Sequence, residues 1–375
     1  IPSTFDPRLI SVIPSAVAKA AIKSGVARKK IKDFDDYKDE LTNRLDPSMS
    51  IMQGINAKVR KNPKKVIFAE GEDENMLKAA VEFGKNKLGT PILIGAEKRI
   101  KEQLKKIGLD ENHKIEIVNS TDKEKRQKYV KHLYKRLQRE GQLERDVDRL
   151  VRNDRIAWGA SMIACKDADA MVTGNIRHYT ASIEKLRKVV DPRPGEEIFG
   201  MTMINSKGKT VLVADTNVKD FPSAERLANV SKSCVRVARL FGFDPKVAFL
   251  SHSTFGKPIS KNTKHVRDAI EILKKEKVDF DFDGEMQPDV ALNPMYQEVY
   301  PFSKIVGKAN ILIMPALHSA AISTKLMKEY GGAKLIGPLL IGLGLPIEVA
   351  PLRSSTSDIL NLASVAAYSS DVIKY

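Results

Sequence analysis

The sequence predicts an α/β fold: parallel sheets with helices on both faces. From about residue 60 onward, short and nearly continuous apolar runs alternate with stretches of helical period. The chain has 375 residues, too many for one simple core, so two or three domains are expected. Segments rich in Gly, Ser, Thr and Asn follow several of the apolar runs, as strand-end loops do in such folds.

Each element follows from its local pattern. Ile10 to Ala21 reads as a small-residue amphipathic helix with Val12, Ile13, Val17, Ala20 and Ala21 near one face, stopped by Ser24-Gly25. Such a helix cannot bury its apolar face alone. Lys29–Asp46 is polar and reads as a linker or peripheral helix. Strand and helix then alternate: Val66–Ala69, Asp73–Lys87, Pro91–Ile94, Ala96–Gly108, Ile115–Val118 and Asp122–Arg139. A helical region to Cys165 precedes a strand at Ala170–Thr173 and a helix at Ala181–Val190. Ile198–Ile204 and Thr210–Ala214 predict a hairpin turning at Ser206-Lys-Gly208. Further on come helix Ser223–Phe241, strand Val247–Ser251, helix Lys261–Lys277, strand Phe280–Gly284 and strand Ala309–Met314. Ala320–Tyr330, Leu335–Ile341 and Thr356–Val372 complete the series as helix, strand and helix.

Composition narrows the function classes. Two cysteines, Cys165 and Cys234, give neither a disulfide framework nor a zinc spacing, so a reducing, cytoplasmic setting is expected. No apolar run reaches membrane-spanning length. The chain starts at Ile1 without a signal peptide, and the missing initial methionine points to a fragment of something longer. The formal net charge is +16. Much of the excess lies in Lys85–Arg139, where lysines alternate with glutamates as on a solvated helix face. Aromatic-basic interleaving is missing, which argues against nucleic acid; a polyanionic small molecule such as a nucleotide or coenzyme A fits the charge.

Four segments could share a cleft: Thr173–Thr180, Ser251–Lys257, Asp283–Asp289 and Pro346–Leu360. Backbone N–H groups and hydroxyls after a strand suit phosphate or carbonyl oxygens. The same residue types are also what ordinary turns use. His178 and His252 lie in these loops and suit a phosphate contact, whereas His113, His132, His265 and His318 show no metal spacing. Trp158 reads as core.

Seven motifs carry a resemblance: Phe68-Ala-Glu-Gly-Glu-Asp-Glu74, Ala168-Asp-Ala-Met-Val-Thr-Gly174, Pro222-Ser-Ala-Glu225, Lys246-Val-Ala-Phe-Leu-Ser251, Asp283-Gly-Glu-Met-Gln-Pro-Asp289, Gly307-Lys-Ala-Asn310 and Ile336-Gly-Pro338. Collinear from about residue 60 to the end, they resemble the phosphate acetyltransferase (phosphotransacetylase) family. The head, Ile1-Pro-Ser-Thr-Phe-Asp-Pro-Arg-Leu9 with Ala16–Val26, resembles the last part of a bacterial malic enzyme domain. Together they resemble the C-terminal half of the long bacterial NADP-dependent malic enzymes.

The resemblance implies two α/β lobes with a cleft between them, of the phosphotransacetylase and isocitrate/isopropylmalate dehydrogenase kind. Residues 1–46 would be malic enzyme remnant and linker. Residues 47–190 plus 339–375 would form the first lobe and 191–338 the second. It also implies a homo-oligomer joined through the second lobe. The chemistry of working members exchanges an acetyl group between coenzyme A sulfur and phosphate, with a base for the thiol and donors for the oxyanion. Their last loop resembles Asp-Leu-Ser-Arg-Gly-Cys-Ser-Val-Glu-Asp-Ile. Without gaps, the base falls on Asp358, the Ser on Pro351 and the Arg on Leu352. Arg353 would replace the lost cation only in an active, slipped loop. Ser355-x-x-Asp358 reads equally as a capping box. The family stretch Leu-Asp-Ala-Gly-Asn-Ile-Gly-Tyr-Lys becomes Leu317-His-Ser-Ala-Ala-Ile-Ser-Thr-Lys325, and a family arginine falls on Lys185.

Asn175, His178, Thr180, Ser253, Thr254, Lys257, Lys325 and Ser355 are the candidate ligand contacts. The expected ligand is acetyl-CoA or CoA, an anionic phosphate-type molecule. NADP and a divalent metal would belong only to the malic enzyme domain, the expected partner in the same chain; this segment itself holds no metal site. The leading reading is a catalytically impaired regulatory and assembly domain. A live acetyltransferase and a purely architectural module are the alternatives.

Overall fold

The structure is a computed structural model that describes residues 9–29, 31, 33, 34, 37, 41, 47–108, 115–215, 218, 220–258 and 263–373. Residues 1–8, most of the expected linker, His113 and the first residues of the helix expected from 261 lie outside the described residues.

Two sheets organise the chain. The first is parallel throughout, in the order β11-β4-β1-β2-β3, from Lys64–Phe68 (β1), Gly89–Ile94 (β2), Glu116–Val118 (β3), Ala170–Gly174 (β4) and Ile347–Ala350 (β11). The second has the order β10-β5-β6-β9-β7-β8, from Phe199–Ser206 (β5), Lys209–Ala214 (β6), Lys246–Leu250 (β7), Asp281–Met286 (β8), Ile311–Ile313 (β9) and Lys334–Ile341 (β10). Strands β6, β9, β7 and β8 run parallel. The hairpin read from the sequence makes the β10-β5-β6 side antiparallel. Lys207 and Gly208 both take positive φ at its tip, the geometry a two-residue hairpin turn requires. The last residues of β10, Leu339–Ile341, pair with β5.

Helices cover both sheets. Around the first are Glu74–Lys85 (α3), Glu97–Lys106 (α4), Lys123–Leu137 (α5), Glu144–Asn153 (α6), Arg155–Ala164 (α7) and Tyr179–Val189 (α8), while Pro47–Lys61 (α2) lies against β5 and β6 of the second sheet. Around the second are Ala224–Leu240 (α9), Lys264–Glu276 (α10), the short Pro288–Leu292 (α11) and Leu317–Glu329 (α12). The last helix, Thr356–Val372 (α13), packs against α2, α3, β4 and β10, so it touches both layers. Leu9–Lys23 (α1) leaves Val12, Ile13 and Val17 exposed.

The strands form because their side chains are buried on both sides. Val66 and Phe68 join the large core that runs between the two sheets, and Ile67 joins the core on the opposite face. Each such side chain contributes roughly 1.5–3 kcal/mol. Side-chain caps start the helices where the sequence placed polar residues. Asp73 accepts from Met76 N–H, Asp122 from Lys125 N–H and Ser223 from Arg226 N–H. Gly174 ends β4 with φ +111, and a Cβ there would lie 2.2 Å from Ala350 O. Only glycine lets β4 and β11 approach so closely.

Helix α2, strand β11 and the short helix α11 were not legible. Helix α2 buries Met52, Ile55 and Val59 at helical spacing inside a polar stretch. Strand β11 lies inside Pro346–Leu360, where flanking prolines and loop-like residues mask four fully buried positions. The expected loop Asp283–Asp289 is mostly strand, since β8 runs to Met286.

Candidate functional site

The carboxyl ends of β1, β4 and β11 meet in one network. Asn175 has φ +64; its N–H donates to Ala350 O and its carbonyl accepts from Arg353 N–H, both near 3 Å. Asn175 Nδ2 donates to the capping carboxylate of Asp73 at 2.6 Å, and Asn75 Nδ2 donates to Ser354 O. The structure thus brings together Asn175, Arg353 and the loop after β11. His178 and Thr180 lie exposed on the same segment, at the start of α8.

The residues of the last loop are placed as a helix start. Ser355 Oγ accepts from Asp358 N–H, and the Asp358 carboxylate accepts from Ser355 N–H, a complete capping box. Arg353 is exposed with φ +60, a backbone state that normally suits glycine. In the gap-free alignment expected from the resemblance, Arg353 falls on a glycine of the family pattern, the residue type suited to this backbone state. Lys185, expected at the place of a family arginine, pairs with Asp154.

The sequence reading missed Glu70, which sits beneath this mouth. It is fully buried and accepts from Thr173 Oγ1 at 3.0 Å and Gly174 N–H at 3.0 Å, with Arg177 at 3.5 Å. Burial raises its carboxyl to about 7, and the lowering by Arg177, Thr173, Gly174 and Arg155 does not offset this. The only sequence signal was an acid directly after a buried strand.

A second buried acid marks the seam between the sheets. Glu348 of β11 accepts from Leu340 N–H of β10 at 2.8 Å. Burial raises it to about 8, so it carries its proton at neutral pH. The Tyr179 hydroxyl is buried without a partner and feels Glu348 and Asp215; burial, first of all, pushes it well up. Asp215, after β6, accepts from Gly200 N–H and Arg226.

On the second sheet, Ser253 and Thr254 serve the loop itself. Ser253 Oγ donates to Glu285 at 2.9 Å; Gly256 N–H and Arg267 bind the same oxygen. Thr254 Oγ1 accepts from Gln287 N–H, and Thr254 pairs with Lys257 through the backbone. Lys257 and Lys325 are exposed. Beside this loop lies an open groove of about 1030 Å³ at the carboxyl ends of β7 and β9. Its floor is Leu250, Met314 and Pro315, and its rim includes Ser223, His252, His265, His318 and Ser319. Ser253, Thr254, Lys257 and Lys325 are not among its lining residues. His265 and His318, set aside from the sequence, are.

Among the described residues no group of His, Cys, Asp or Glu is arranged to hold a metal ion, and no helix is long and apolar enough to cross a membrane. Cys165 and Cys234 are free.

Known proteins resemble this chain in sequence and in fold. The phosphate acetyl/butaryl transferase family matches residues 50–367. The chain is 46% identical over 369 residues to an NADP-dependent malic enzyme of Rhizobium meliloti, covering 98% of this chain and 48% of that protein. It spans about half the length of the malic enzymes it matches. It is 32% identical to a phosphate acetyltransferase of Thermoanaerobacterium thermosaccharolyticum, covering 85% of this chain and 99% of that protein. Among solved structures, a phosphotransacetylase from Streptococcus pyogenes superposes with TM-score 0.77 at 28% identity over 86% of this chain and 98% of that one. The EutD phosphotransacetylase from Staphylococcus aureus gives 0.76 at 27% identity with the same coverage.

Proposed function

The chain belongs to the phosphate acetyl/butaryl transferase family, and from that membership we propose that it works as an acetyl-CoA-responsive regulatory and assembly domain of a malic enzyme rather than as an acetyltransferase. The observation that carries this reading is the last loop. Pro351 and Leu352 offer neither hydroxyl nor charge, and the positive φ of Arg353 supports the alignment that puts them at the Ser-Arg positions. Loss of one oxyanion donor costs roughly 10²–10³ in rate. Asp358 is engaged in capping its helix.

The groove of about 1030 Å³ supports ligand binding without catalysis. Its apolar floor suits the body of an acyl-CoA, and the start of α12, where Ala316 provides no side-chain cap, suits its phosphates. NADP, a divalent metal and malate would be handled by a malic enzyme domain outside this chain, in a cytoplasmic protein. Exposed Ile322, Leu326 and Tyr330 form a stripe at helical spacing on α12, which supports self-association of a second copy through this lobe.

A ligand regulates only if its affinity differs between two states of the enzyme. Acetyl-CoA should therefore change malate oxidation by the full-length protein, while phosphate-dependent thiol release from acetyl-CoA stays at background. Identical malate kinetics with and without acetyl-CoA, or phosphate-dependent turnover, would overturn the reading.

A further inference from the structure

Three of the chain's six histidines line one groove, from three separate segments: His252 after β7, His265 in the first turn of α10 and His318 in the first turn of α12. Their settings differ. His252 is exposed, His265 Nε2 lies 3.1 Å from Pro315 O, and His318 stacks edge-on against Phe221 at 5.4 Å. Three helices also begin at this groove, α9 at Ser223, α10 at Thr263 and α12 at Ala316. Ala316 has no side chain to cap the first turn of α12. Helix N-termini present N–H groups and the positive end of the helix dipole.

The groove's charge balance is small and changes sign. Its titratable lining is Glu225, His252, Lys264, His265, Asp268 and His318. Lys264 and Asp268 pair at 2.7 Å. Glu225 is held below the usual carboxylate range by its own backbone N–H and the Ser223 hydroxyl, so it stays ionised. With neutral imidazoles, one cation faces two carboxylates. With all three protonated, four cations face the same two. Imidazole is the side chain whose ordinary charge change falls between pH 5 and 8.

We propose that this groove is a proton-coupled anion site, binding a phosphate-bearing molecule more tightly as the three imidazoles take up protons. The inference rests on the effector reading only for the identity of the natural ligand. Each proton taken up on binding sharpens affinity by up to about tenfold per pH unit. A cation is disfavoured, because Asp268 is already paired, Glu225 is held at the start of α9, and the starts of α10 and α12 also face the groove.

The test titrates the full-length protein with inorganic pyrophosphate at pH 8 and pH 6. Affinity should rise at least about tenfold on acidification. The variant His252→Gln/His265→Gln/His318→Gln should lose that rise. The imidazole ring resonances of the unaltered protein, assigned from single variants, should shift with pyrophosphate, and their titration midpoints should move up. Unchanged ring midpoints, no pyrophosphate binding at pH 6, or a rise in affinity on acidification that survives in the triple variant would each overturn the proposal. Acetyl-CoA is titrated in parallel. If it leaves malate kinetics unchanged while pyrophosphate binds with proton uptake, the acetyl-CoA reading falls and the anion site stands.

Discussion

The strand ends of the first sheet and the groove on the second are built from similar residue types but spend them differently. In the first, Asp73, Asn75, Ser354, Ser355 and Asp358 are engaged in hydrogen bonds to one another and to the backbone, while Asn175 Nδ2 is bonded and its buried Oδ1 has no partner. In the second, histidines and helix N-termini line an open groove. Polar loops after strands are therefore not equivalent: one set knits three strand ends together, and the other borders an open groove. The comparison also holds for the buried acids. Glu70 has a neutral option, since a carboxyl near 7 is partly protonated. Glu285 is locked between Ser253, Gly256 and Arg267.

The largest expected effect lies where the two layers meet. The folded protein raises Glu348 from 4.5 to about 8, so it holds a proton that the unfolded chain releases. Its contribution is present at acid pH and is lost as pH rises from about 5 through about 8. Glu348→Gln mimics the protonated acid and should abolish that loss. The gap between the two proteins should grow to the order of 4 kcal/mol by pH 9, read from urea midpoints across the pH range. Parallel curves would mean that the seam is not held by a neutral Glu348.

A smaller effect separates the two acids of the comparison. Arg267→Met should cost about 3 kcal/mol in unfolding free energy, because it strands a buried carboxylate. Arg177→Met should cost under about 1 kcal/mol at pH 6, where Glu70 can hold its proton and keep Thr173 and Gly174. Its cost should grow at pH 8.5. Equal costs at pH 6 would erase the distinction.

The smallest concerns the last loop. Arg353→Gly should raise stability by about 1 kcal/mol, since glycine adopts the left-handed backbone without strain. A thermal unfolding midpoint that falls would show the Arg353 side chain to be holding the loop.

Much of the fold was legible because buried parallel strands are written as apolar runs. Val66–Phe68 and Val247–Leu250 could hardly be anything else. Strand β11 was not, because a four-residue strand between prolines has no pattern of its own and is defined by its partner β4. The capping box of Ser355 and Asp358 was legible from its spacing and is formed in the structure, whereas the hydrogen bond of Asn175 to the capping carboxylate of Asp73 was not, because those residues lie far apart in the chain.

What the sequence determined by itself is local: which runs are buried, where helices are capped, and which side chains stand at Pro351 and Leu352. Tertiary structure decided what comes together. His252 and His265 border one strand-to-helix connection and His318 follows a different strand; they line one groove because parallel strands deliver these loops to the same sheet edge. Glu70 and Glu348 are ordinary glutamates in sequence; the packing of two sheets around them removes water and changes which proton they hold.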